Sequence, residues 1–128
     1  MGRAREAPAL AGLSRICLGL PEAERRNEGR HAGFRVRGRV FAWYLVDHHG
    51  DGMISLNVKA APGDNAALVR LDPARYHLPA YLAAKGWIGV RLDTGTIDWD
   101  EVAALVTDSY RLVAPGRLAA AVAARRGS

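Results

Sequence analysis

One cysteine, Cys17, is all the thiol this chain has, so no disulfide can close within it, and a reducing cytoplasm is the expected setting. Lysine is nearly as scarce, because sixteen of the 18 basic residues are arginine. That bias suits bidentate phosphate contacts, but it follows equally from the codon usage of a GC-rich genome. No apolar run approaches the length that spans a bilayer, which argues against a membrane partner. The mildly apolar stretch from Ala7 to Leu20 is interrupted by Arg15 and ends without a clear small-residue cleavage site, so it reads as a helix and not a leader. Internal repeats and low-complexity segments are missing. So are a glycine-rich phosphate loop following a strand, a metal-stapled finger and a recognisable DNA-reading helix.

What is present is the composition of an ordinary globular chain. Hydrophobic residues make up 49% and charged residues 24% of 128 residues, enough for one domain over 1–128 with a buried core spanning about 7–124. The net charge of +5 is uneven: side chains contribute +2 over residues 1–20, +3 over 21–45, −3 over 46–114 and +3 over 115–128. The body is acidic, and the positive excess sits at both ends and around residues 25–39.

Periodicity lays out the elements. Leu10, Leu13, Ile16 or Cys17, and Leu20 recur at helical spacing, and Leu20-Pro21 ends that helix. Glu22 to Arg30 reads as a polar link. Phe34 to Trp43 reads as a β-hairpin turning at Gly38-Arg39, with glycine at the first central position. That turn pairs Phe34 with Trp43 and puts Phe34, Val36, Phe41 and Trp43 on one side, with Arg35 and Arg37 on the other. A turn cluster follows at Asp47–Gly52, then a third strand over Met53–Lys59.

Pro62-Gly63-Asp64 opens a short helix that Asp72-Pro73 closes, and Pro79 limits residues 75–85 to a short edge strand or irregular chain. Trp87–Leu92 alternates as a strand with Ile88, Val90 and Leu92 inward. Asp98 and Glu101 form a capping box for a helix carrying Val102, Leu105, Val106 and Ser109. Pro115 suits the first position of a last short helix. The expected architecture is α+β, a two-layer sandwich of an antiparallel sheet with helices on one face and the other face partly open.

Several segments carry a family resemblance, in the family's order, over roughly residues 10–120. Leu56-Asn57-Val58-Lys59 with Pro62-Gly63, Gly86-Trp87-Ile88-Gly89-Val90-Arg91-Leu92-Asp93, Trp99-Asp100-Glu101 and Ser109-Tyr110-Arg111-Leu112-Val113-Ala114-Pro115 resemble the MmcQ/YjbR family. Leu20-Pro21-Glu22 and Phe34-Arg35-Val36 match its opening pattern. The resemblance implies a CyaY-like (frataxin-like) sandwich and the family's usual description as DNA-binding. Leu82-Ala83-Ala84 departs from it, standing where members often carry a glycine before Gly86-Trp87. A frataxin-like fold also suggests iron, but that function uses an acidic first helix, and here Glu6 stands beside Arg3, Arg5 and Arg15.

Strand parity assembles the candidate surface. Arg35, Arg37, Arg39, Asn57, Lys59, Trp87 and Arg91, with Ser55 and Tyr44, are expected on the open sheet face. Arginine and lysine there would contact phosphates, Trp87 would stack on an unpaired base, and Asn57 would touch sugar or phosphate. With about four phosphates neutralised, log K should fall against log salt with a slope near −3.6. The competing reading is a solvated face, or one that takes a small ligand beside Tyr44 and Trp87 or associates with another protein copy.

No catalytic residue, cofactor or metal is expected. His48 and His49 are adjacent on a turn and point different ways, so with Asp47 and Asp51 they read as solvated polar residues. His77 stands alone near Pro79. Cys17 lies on an apolar helix face and reads as packing.

Overall fold

The computed structural model describes residues 2–126, with side chains from 7 to 122. Helix α1 runs over Gly2–Leu18, and strand β1 over Glu24–Glu28. The stretch expected as a polar link is therefore a strand, exposed along its whole length. Its polar residues concealed it, because an edge strand with both sides near water shows no apolar alternation. Strands β2 (His31–Val36), β3 (Arg39–Val46) and β4 (Ile54–Lys59) follow. Next come α2 (Asp64–Leu71), the two-residue β5 (Tyr76–His77), β6 (Trp87–Arg91), α3 (Trp99–Val113) and α4 (Gly116–Arg126).

The strands make one six-stranded antiparallel sheet in the order β1-β2-β3-β4-β6-β5. Three of the helices supply side chains to a single core on one face of it. From α1 come Ala9, Leu13 and Cys17; from α3 Val102, Val106 and Tyr110; from α4 Leu118 and Val122. The sheet answers with Phe34, Val36, Tyr44, Leu56, Val58, Ile88 and Val90. Burying each larger apolar side chain among them contributes about 1.5–3 kcal/mol. Helix α3 is capped by Asp98, whose Oδ1 accepts the Glu101 N–H at 3.2 Å, while the Glu101 carboxylate accepts from Arg75 Nη1 at 2.6 Å instead of turning back to the cap. Pro115 lies one residue before α4, and its carbonyl accepts the Ala119 N–H at 2.9 Å.

The β2–β3 hairpin differs from the sequence expectation in two linked ways. Its turn is Arg37-Gly38, with φ 51° and 79°, and Val36 pairs with Arg39. Two positive φ values give the turn whose twist matches that of the strands. The left-handed Arg37 is held by Glu22, whose two carboxylate oxygens accept from Nε at 2.6 Å and from Nη2 at 3.1 Å. A bulge then leaves Phe41 without a partner on β2, so Phe34 faces Ala42 and Gly33 faces Trp43. Phe34, Val36 and Phe41 stay in the core as expected. Trp43 goes to the opposite face and Tyr44 into the core, reversing both expected placements. No helix among the described residues is long and apolar enough to cross a membrane.

Candidate functional site

One row of paired residues crosses the helix-free face: Gly33, Trp43, Asn57, Gly89 and His77, contributed in turn by β2, β3, β4, β6 and β5. The two glycines explain how rings fit there. A Cβ on Gly33 would fall 2.9 Å from Cζ3 of Trp43, and a Cβ on Gly89 would collide with the imidazole of His77. Each ring thus lies against bare backbone, and Asn57 stands between the two. A cavity of about 440 Å³ opens over this row, in the size range of small-molecule sites.

Leu45 and Ser55 line the cavity beside Trp43 and Asn57, and the β5–β6 connection closes one side with Leu78, Pro79, Ala80 and Leu82. The β3–β4 loop adds His48, His49 and Asp51, and the end of β1 and start of β2 add Glu28 and His31. All four histidines of the chain therefore meet at one place. Three of their rings and that of Tyr81 follow one another from β2 toward the β5–β6 connection, with His31–His48 centroids 5.6 Å apart, His48–His49 3.9 Å and His49–Tyr81 6.4 Å. Tyr81 has φ 67° and is 87% exposed.

Polar groups within this wall are unevenly satisfied. Nδ1 of His31 accepts the Val46 N–H at 3.1 Å. By contrast, Oδ1 of Asn57, a residue only 4% exposed, and Nδ1 of His77 are buried without a hydrogen-bond partner. Burial pushes the His77 and His48 imidazoles below their ordinary value, which favours their neutral forms. Among the described residues, no group of three or more histidine, cysteine, aspartate or glutamate side chains is placed to hold a metal ion. Burial also pushes the Cys17 thiol up and keeps it from ionising.

Of the seven residues expected to form a basic face, Asn57 alone lines this cavity. Arg35 shares the face and lies 3.8 Å from Glu28. Arg37 belongs to the turn and pairs with Glu22; Arg39 is exposed at the start of β3. Lys59 lines a separate groove between α2, α3 and α4, with Asp64 and Asp108. Arg91 donates to Asp93 at 2.9 Å and 3.2 Å. Trp87 is only 9% exposed, too little to offer a stacking platform. The expected continuous cationic surface is thus divided into ion pairs, an edge and a groove.

Strand and turn patterns in the sequence do not group Trp43, His31 and the other three histidines into one site. A signal was there. Glycine inside a strand marks a place where another group lies on the backbone, and both Gly33 and Gly89 interrupt strands.

The architecture defines an α+β sheet-and-helix sandwich with a pocket on its uncovered face. The YjbR family model matches residues 18–112, and the chain belongs to that family. Among solved structures the chain is similar to the Deinococcus radiodurans protein DR2400, determined as a crystal structure with a DUF419 domain. The two are 25% identical with a TM-score of 0.66, over 80% of this chain and 76% of that one. No curated protein matches the chain.

Proposed function

We propose that the protein is a binding module for a small molecule, held over the Trp43–Asn57–His77 row, and that it binds rather than catalyses. The observation that carries this reading is the pair of buried, unpaired polar atoms, Asn57 Oδ1 and His77 Nδ1, at a cavity of about 440 Å³. A buried polar atom without a partner costs about 1–3 kcal/mol, and a ligand that supplies the missing donor recovers that cost. Apolar walls with a few converging polar groups are the usual make-up of a ligand site. Fragment titration followed by amide and indole NMR shifts tests it. Saturable shifts should gather at Trp43, Asn57, His77 and the 48–51 loop. Shifts that avoid those residues, or never saturate, would count against it.

DNA contact is the second reading, favoured by the exposed Arg26 on β1 and Arg39 on β3, which stand on either side of β2, Arg39 beside the Arg37 turn. With Arg37 and the two sheet-face arginines answered by carboxylates, about two phosphates would be neutralised, giving a salt slope near −1.8 rather than −3.6. Duplex binding measured between 50 and 200 mM salt, with and without Arg26→Glu/Arg39→Glu, decides it. Binding that survives the double reversal unchanged would sink DNA contact at this edge.

A further inference from the structure

Resting on the cavity reading, we infer that the ligand is a flat heteroaromatic molecule that carries no negative charge and presents N–H donors. Charge supplies the first part. The chain has a net charge of +5, yet no lysine or arginine lines the cavity, and the charged side chains that do are Glu28 and Asp51. The two arginines on this sheet face stand outside the cavity lining: Arg91 donates to Asp93 at 2.9 Å, and Arg35 lies 3.8 Å from Glu28 with its Nε buried and unpartnered. A phosphate or carboxylate entering here would lose its water and meet carboxylates with no uncommitted cation in the wall.

Hydrogen bonding supplies the second part. Asn57 Oδ1 only accepts, and it is buried without a donor. His77 sits across Gly89 from it, with Nε2 the imidazole atom nearest the position of a Gly89 Cβ and Nδ1 buried without a partner. An N–H group on a ring edge serves the Asn57 acceptor. Shape supplies the third part. The Trp43 and His77 rings pack over the bare backbone of Gly33 and Gly89 on either side of Asn57, so aromatic surface lines the cavity. Such surface accepts a neutral or cationic planar ring and disfavours an anionic one.

Four planar probes test the assignment on the full chain: proflavine (cationic, with amino donors), adenine (neutral, with an amino donor), adenosine 5′-monophosphate (the same ring with an anionic tail) and naphthalene (no donor). Proflavine and adenine should shift the Trp43 indole and Asn57 side-chain signals saturably, with the nucleotide and naphthalene each about tenfold weaker than adenine. Asn57→Leu should weaken proflavine and adenine about tenfold. Glu28→Gln/Asp51→Asn changes two exposed residues and keeps the test independent of how the strand variant folds. It should weaken proflavine about threefold and leave adenine unchanged. Nucleotide or naphthalene binding in the cavity as tight as adenine's, or proflavine affinity indifferent to the double carboxylate change, would overturn the ligand class and leave the cavity reading standing. Saturable binding by none of the four would overturn both.

Discussion

At the scale of single residues, Asn57 is the most telling position. A side chain on the central strand pair, 4% exposed and with an unpaired Oδ1, lowers the stability of the ligand-free protein. Asn57→Leu keeps the branched shape and removes the unpaired acceptor. The expected outcome is a gain of about 1 kcal/mol in urea unfolding, together with weaker cavity binding. A destabilised variant would mean that Asn57 serves the fold and not a ligand. His77 illustrates the same economy of space, since its ring lies where Gly89 has no side chain. The sequence places Asn57 on the open face but does not distinguish it from its polar neighbours there, and it does not single out His77 at all. Asn57 alternates with Ile54, Leu56 and Val58 like any outward polar residue on a strand, and His77 stands beside Pro79 in a segment with no pattern.

The bulge at Phe41 decides the hairpin at the scale of elements. Ser109 of α3 ties it down: its hydroxyl donates to the Phe41 carbonyl at 2.6 Å and accepts the Lys59 N–H at 2.9 Å. One buried hydroxyl thus pins β3 and β4 to the helix layer and holds the parity that sends Trp43 to the cavity side. Ser109→Ala leaves a carbonyl and an N–H without this partner. The expected loss is about 2–4 kcal/mol in urea unfolding, with faster amide exchange at Lys59. A loss below about 0.5 kcal/mol would show that the bulge stands without Ser109. The turn was misplaced from sequence by one residue because Gly38 fits either central position. What selects Arg37-Gly38 is the fork to Glu22, 15 residues earlier, together with the strand twist.

For the molecule as a whole, acid should act in two stages. Burial holds His48 and His77 below their ordinary value of 6.5, so the folded protein binds fewer protons there than the unfolded chain. Their contribution is fully present above 6.5 and is lost as pH falls below it, through the depressed folded values. Asp93 is a second case. Burial alone would raise it, but hydrogen bonds from Arg91 and from the Ile54 N–H outweigh that and hold it below its ordinary 3.8. Glu22 is held below its ordinary 4.5 by the Arg37 hydrogen bond. Those carboxylates contribute above their ordinary values and fail as pH drops through the lowered ones. Tm measured from pH 8 to pH 3 should therefore begin to fall below about 6.5 and fall again below about 4. His77→Gln should flatten the first decline, and an unchanged first decline in that variant would remove His77 from the account.

The division between sequence and tertiary structure follows from range. Local patterning determined α1, α2, the capped α3, strands β4 and β6, and the two-layer α+β arrangement, because helical and strand periodicities express which face is buried. The motifs from Leu56 to Pro115 pointed to the family to which the chain belongs. Tertiary structure alone decided the site. A bulge changed the parity of one strand, carboxylates from neighbouring loops and strands neutralised Arg35, Arg37 and Arg91, and Lys59 came to line a groove among helices. Four histidines separated by up to 46 positions gathered around one cavity because sheet order brings the start of β2, the β3–β4 loop and β5 to the same face. Pairing between distant strands sets these meetings, and no local pattern encodes which carboxylate will find which arginine.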